Sequence, residues 1–306
     1  MYFDSCIFTP PYSSVRCGGA LVFDPTNVYP LTGDQRVLGR VVFKISVGFV
    51  TGALILLAVS LYLSSAYLKE QQRLAEAGDL QGAMNKLEWA AWLDPFSSVP
   101  LASEANLELR QGQTEMAAEA YGEAIKRDPA NYRNYEALGS VQRQQLGDPE
   151  AAAESYREAL EHNPHATSVI SRLGEALLSA GDLEGAMTQY EWLQDRGKIP
   201  LKDLYTLGKT QLRLEEPEKA IKTLEEAKER AGTELESSDN QQQEQRKAFL
   251  DSVDLAIADA LVVQGLYTEA RDYLSQSDAD QAPAILTLLD EDPEGYRRSV
   301  LDAPIN

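Results

Sequence analysis

GDPEAAAESYREALEHNPHATSVISRLGEALLSAGDLEGAMTQYEWL, residues 147–193, decides the fold. The same phrase occurs twice within it, 34 residues apart: a glycine (Gly147, Gly181), an alanine five residues on (Ala152, Ala186), and a tyrosine four beyond that (Tyr156, Tyr190). Offsets of three, four and seven put residues on one face of a helix. Small residues there let two helix backbones approach closely, and one large side chain fills the hole between them.

Outward from this stretch the phrase recurs. The turn position falls at Gly78, Gly112, Gly147, Gly181, Glu215 and Gly265, with spacings of 34, 35, 34, 34 and 50. Alanine follows at Ala83, Ala117, Ala152, Ala186, Ala220 and Ala270, then a large residue at Leu87, Tyr121, Tyr156, Tyr190, Leu224 and Leu274, and a further alanine at Ala90, Ala124, Ala159 and Ala227. Asp94-Pro95, Asp128-Pro129 and Asn163-Pro164 stop the second helix of a unit, because proline restricts the residue before it and cannot continue the hydrogen-bond ladder.

The unit resembles the tetratricopeptide repeat, whose 34-residue period holds two antiparallel helices. Leu138-Gly139, Leu173-Gly174 and Leu207-Gly208 stand where that family carries its first-helix Leu-Gly pair. The resemblance implies an all-α superhelical solenoid of about six helical hairpins, with units at 64–97, 98–131, 132–166, 167–200, 201–234 and 251–284. Each hairpin exposes an apolar face that stacking buries. Units one to five therefore occupy 64–234, 235–250 is an insertion, and 285–306 supplies short capping helices. The third unit carries one extra residue, the fourth has Leu193 and Lys198 in place of the last Ala and the Pro, and the sixth has Ser277 for alanine.

Upstream, Ile45 to Leu68 runs ISVGFVTGALILLAVSLYLSSAYL without a charge, the signature of a transmembrane helix. The segment with its flank spans 37–68, and Tyr62 and Tyr67 stand where an interfacial aromatic belt would. A cleaved signal peptide is the competing reading, since Ser64, Ser65 and Ala66 form a small-residue pattern; the run is too long for an h-region of roughly 7–15 residues. Arg36, Arg40 and Lys44 precede the run and Lys69, Arg73 and Lys86 follow it less closely, which favours a cytoplasmic N-terminus and an extracytoplasmic repeat domain in the plasma membrane. Residues 1–36, rich in Pro and Gly, read as a disordered tail that holds both cysteines, Cys6 and Cys17.

The chain's net charge is -20. Residues 1–68 hold four of the 28 basic residues and three of the 48 acidic ones, leaving 24 against 45, a net -21, in the remainder. Such a domain repels phosphate backbones and anionic headgroups, so nucleic-acid binding is excluded and membrane attachment falls to the inserted segment. His162 and His165 lack nearby cysteine partners for a metal. No glycine-rich phosphate loop or nucleophile elbow occurs. The expectation is a non-enzymatic protein without a cofactor. Trp89, Trp92 and Trp192 fall on second helices and are expected in core and groove packing.

In the tetratricopeptide family the concave groove is lined from the first helix of each unit, and the corresponding positions here supply Arg110, Arg133, Arg143, Lys202, Lys209 and Arg213 against Glu136, Glu175 and Asp259, with Asn106 and Tyr205 beside them. The resemblance implies a scaffold or adaptor that binds a protein or peptide partner in the cell envelope. The excess of cations in an acidic domain points to an acidic or carboxylate-bearing peptide held by Arg forks. A membrane helix running into units with a WLDPFS stop is also similar to the C-terminal end of O-antigen ligase and polymerase-like proteins, which implies the alternative of a stand-alone accessory in envelope polysaccharide assembly.

Overall fold

A computed structural model of the protein describes residues 7–8, 14–17, 20–23, 33–234 and 240–303. The chain divides into two compact units, Met1–Leu63 and Ser64–Asn306.

The first unit holds three short strands, β1 (Ile7–Phe8), β2 (Ser14–Cys17) and β3 (Ala20–Phe23), paired antiparallel in sequence order with Ser14 opposite Phe23 and Cys17 opposite Ala20. Within 1–36, the span expected to be a disordered tail, the described residues are these strands and the first residues of a helix that starts at Gly33. Strands of two to four residues are too short to display an alternating pattern, yet the backbone groups of adjacent segments still pair into a ladder. Cys6 and the prolines Pro10, Pro11, Pro25 and Pro30 lie outside the described residues.

Helix α1 (Gly33–Glu76) carries the uncharged run. Its Val41–Glu76 portion is the one helix among the described residues long and apolar enough to cross a membrane, by length and composition. Its large side chains from Val41 to Leu63 are exposed in the protein itself.

The second unit is a solenoid of helical hairpins. Residues 64–76 of α1 pair with α2 (Leu80–Leu93). There follow α3 (Val99–Arg110) with α4 (Thr114–Arg127), α5 (Tyr132–Gln144) with α6 (Pro149–His162), α7 (Thr167–Ser179) with α8 (Leu183–Asp195), α9 (Leu201–Arg213) with α10 (Pro217–Glu234), and α11 (Asn240–Val263) with α12 (Tyr267–Gln276). Two short helices, α13 (Ala282–Glu291) and α14 (Pro293–Asp302), close the array.

The turn inside each hairpin needs a left-handed residue, and Gly78, Gly112, Gly147, Gly181 and Gly265 adopt φ between 66° and 86°. Glycine meets that demand without a Cβ clash; Glu215, at φ 57°, does the same work with one. The aspartate that follows the glycine then caps the next helix: Asp79, Asp148 and Asp182 accept from the amides of Gly82, Ala151 and Gly185 at 2.9 Å, satisfying a donor that the first turn leaves orphaned.

The six alanines that follow the turns are fully buried, and so are Tyr156 and Tyr190. Three of the six large residues, Tyr156, Tyr190 and Leu224, seat on a Leu-Gly pair of the preceding helix. A Cβ built on Gly139 would stand 2.8 Å from the Tyr156 ring, one on Gly174 2.7 Å from Tyr190, and one on Gly208 2.6 Å from Leu224. The repeat's signature residues are thus the two halves of one contact between paired helices.

Candidate peptide-binding groove

Successive first helices face one another along a polar ladder. Arg143 on α5 donates to Glu175 on α7 at 2.8 Å, and Lys202 on α9 reaches the other oxygen of the same carboxylate at 2.9 Å. Arg172 donates to Ser140 at 2.7 Å and lies 3.6 Å from Glu136, which also accepts from Ser168 at 3.2 Å. Ser171 donates to Asp203. These contacts join α5, α7 and α9, so one face of the solenoid is built from first helices.

The eight residues expected in the groove separate into three groups. Arg143, Lys202 and Arg213 line one open cavity of about 620 Å³ together with Glu175, Tyr190 and Thr206. Tyr205, Lys209 and Arg213 line a neighbouring cavity of about 400 Å³ with Asp259 and Tyr296. Asn106, Arg110 and Arg133 stand apart from both. Asn106 donates to the Ala102 carbonyl and accepts from the Tyr121 hydroxyl, so its amide braces its own hairpin. Arg110 is exposed, and Arg133 lies over the Tyr132 ring at 5.9 Å.

The 620 Å³ cavity has the chemistry of a receptor for hydrogen-bond acceptors. Tyr190 is fully buried, yet its hydroxyl has no partner among the described residues, and neither has the buried Nε of Arg143. Burial, reinforced by Asp203 and Glu175 nearby, pushes the Tyr190 phenol well above its ordinary value, so it stays a donor. A buried donor left unpaired costs about 1–3 kcal/mol.

The second cavity differs because α14 lies over it. The Tyr296 hydroxyl donates to Asp259 at 2.6 Å, Arg297 donates to the Val263 carbonyl at 3.1 Å, and Arg213 donates to the Ala303 carbonyl. Val300 is buried in one cluster with Leu212 of α9 and Ala260 and Val263 of α11. The chain's own last helix therefore occupies the groove at α9 and α11. Burial raises the Asp259 carboxyl to about 6 against the opposing pull of Tyr296 and Lys209, and burial also lowers the Lys209 ammonium.

Sequence reasoning missed Arg172, Asp203 and Tyr190, which fall outside the groove positions carried over from the family. Tyr190 had a signal as the hole-filling residue, but only the tertiary placement shows that it also lines a cavity. Tyr296 and Arg297 had none, since α14 has no repeat register.

The tryptophans are split. Trp192 is partly buried against the main core, stacked on His165 with ring centres 6.3 Å apart and covered by Arg196 at 3.8 Å. Trp89 and Trp92 are 55% and 73% exposed, which corrects the expectation of core and groove packing: on α2 the face turned to the core is taken by Ala83, Leu87 and Ala90. His162 and His165 are exposed, and among the described residues no group of three metal-ligating side chains occurs.

Three models of the tetratricopeptide repeat match the chain, over residues 103–145, 143–195 and 204–233. No curated protein is significantly similar to it in sequence. Among solved structures it is similar to a MamA protein, at 19% identity over 58% of this chain and 98% of that one with a TM-score of 0.50. It is also similar to YrrB, described as a tetratricopeptide protein with an unusual peptide-binding site, at 22% identity over 53% and 82% with a TM-score of 0.45. A MamA fragment from Desulfovibrio magneticus aligns at 17% identity over 54% and 93% with a TM-score of 0.47.

Proposed function

We propose that this chain, a tetratricopeptide-repeat solenoid behind one apolar helix, is a membrane-anchored scaffold that captures a peptide or protein segment along the first helices of its middle units. The observation that carries the reading is the pair of unpartnered buried donors, the Tyr190 hydroxyl and the Arg143 Nε, beside an open cavity that Lys202 and Arg213 also line. An extended segment presents carbonyl oxygens at regular intervals, and an acidic side chain or terminal carboxylate adds a charge-assisted bond. Arg143 and Lys202 share Glu175, so an incoming carboxylate competes with an internal one. The groove then selects for ligands that bring an acceptor to Tyr190 as well as negative charge. The open positions lie on α5, α7 and the start of α9; at the end of α9 and at α11 the place is taken by α14.

Crosslinking in native membranes followed by mass spectrometry identifies what the groove holds. Tyr190→Phe removes a buried hydroxyl without changing shape, so the fold should lose no stability while partner recovery falls about tenfold, the equivalent of one hydrogen bond to a charged group. Lys202→Ala should lower recovery further at low salt than at high salt. Undiminished recovery from both variants rejects the groove as the binding site.

A further inference from the structure

We infer that the first hairpin carries a lipid-facing surface, formed by Tyr67, Trp89, Trp92 and Phe96, that seats in the interfacial layer of a zwitterionic membrane. The inference rests on the reading of 45–68 as a membrane anchor, and the surface itself lies wholly within Ser64–Asn306. Trp89 stacks on Tyr67 with ring centres 6.4 Å apart, and Trp92 meets Trp89 edge-on at 6.1 Å. Phe96, in the turn directly after α2, is 87% exposed. Among the described residues of Ser64–Asn306, seven large hydrophobic ones are exposed: Trp89, Trp92, Phe96, Val99, Met116, Leu146 and Leu288. Four of the seven fall between 89 and 99, three of them on the first hairpin and Val99 at the start of the next, so the apolar exposure is concentrated in one place, as it is at interaction surfaces.

Two observations identify lipid as the occupant. Tyr67 is the penultimate residue of the uncharged run, so wherever that run ends in a bilayer, Tyr67 stands at the hydrocarbon edge and Trp89 stands one ring away from it. Tryptophan and tyrosine are enriched at that depth because an apolar body and a polar tip suit its two sides. The charge distribution agrees. Residues 64–97 hold three basic and five acidic side chains, leaving 21 against 40 in 98–306, so the field that repels headgroups is weak at the hairpin with the aromatic surface. Lys86 stands 5.3 Å from the centre of the Tyr67 ring, a position from which an ammonium can meet a lipid phosphate.

The test uses the full chain, reconstituted into phosphatidylcholine vesicles with or without bromine at a shallow acyl position. Trp192→Phe leaves Trp89 and Trp92 as the fluorophores, since the chain has three tryptophans. The expected result is flotation with the vesicles, with emission blue-shifted and quenched by the brominated lipid. In Trp89→Ser/Trp92→Ser, where Trp192 alone reports, flotation should persist and quenching should be lost. Flotation without quenching of Trp89 and Trp92 overturns the surface and leaves the anchor intact. Failure to float overturns both. Equal quenching of Trp192 in the double variant, or a blue shift that follows protein concentration instead of bromine, also overturns the surface, the latter in favour of a second copy of the chain.

Discussion

Gly174 shows how one residue type serves two unrelated purposes in this protein. At Gly181 glycine is needed for its backbone, in a left-handed turn with φ of 84°. At Gly174 the helix is ordinary, and what matters is that the Tyr190 ring occupies the space a Cβ would take, 2.7 Å away. Overpacking at such a contact costs about 1–3 kcal/mol, so Gly174→Ala should lower stability by that amount in urea unfolding. Gly122, on α4, has open space in its place, and Gly122→Ala should raise stability by about 0.5–1 kcal/mol through helix propensity alone. Equal effects of opposite expectation would remove the knob-and-hole account of the repeat. The Leu-Gly pair was legible as a motif; its partner tyrosine, 16 residues on, was legible as a repeat position. That the two are one contact emerged only from the fold.

Among the elements, α14 departs furthest from the repeat. It packs on α11 and α9 through Val300 and places Tyr296 against Asp259, which makes the attachment sensitive to pH. Burial holds the Asp259 carboxyl near about 6 in the folded chain, against about 3.9 in an unfolded one. Between these values the folded chain keeps a proton that the unfolded chain has released, so stability from this group is complete below about 3.9 and is lost as pH rises through about 6. Asp259→Asn keeps an acceptor for Tyr296 but cannot ionise. Its stability relative to the unaltered protein should therefore be greater at pH 7 than at pH 4. A constant difference across that range, measured by urea unfolding at each pH, would contradict the burial of this carboxyl. Short capping helices were expected over 285–306; that one of them turns back over first helices could not be read, because docking depends on single contacts such as Tyr296 with Asp259 and on no periodic pattern.

For the whole molecule, the proposed arrangement is an apolar helix that fixes the chain in the plasma membrane with its N-terminus in the cytoplasm and an acidic solenoid on the far side. The proposal draws on the cluster of Arg36, Arg40 and Lys44 before the run and on the bias that holds basic flanks on the cytoplasmic side. A reporter that fluoresces only in the cytoplasm, attached after Asn306, should leave cells dark, and bright cells would invert the topology. Net charge acts at this scale too. At -20 the chain resists self-association and anionic surfaces, so its partners are selected by local features such as the cations along the groove rather than by its overall field.

Periodic features were set by the sequence alone. The 34-residue spacing, the alanines at close crossings and the uncharged run each recur or persist over many positions, and so specify helical hairpins and a candidate membrane helix whatever their surroundings. Tertiary structure alone decided which polar atoms have partners. Glu175 draws Arg143 and Lys202 together from 32 and 27 residues away, the Tyr190 hydroxyl is left unpaired in a residue that lines a cavity, and α14 fills one end of the groove. The reason is physical: hydrophobic burial follows a repeating pattern that local sequence records, whereas pairing of a hydrogen bond or an ion pair depends on positions of individual atoms fixed only when distant segments meet.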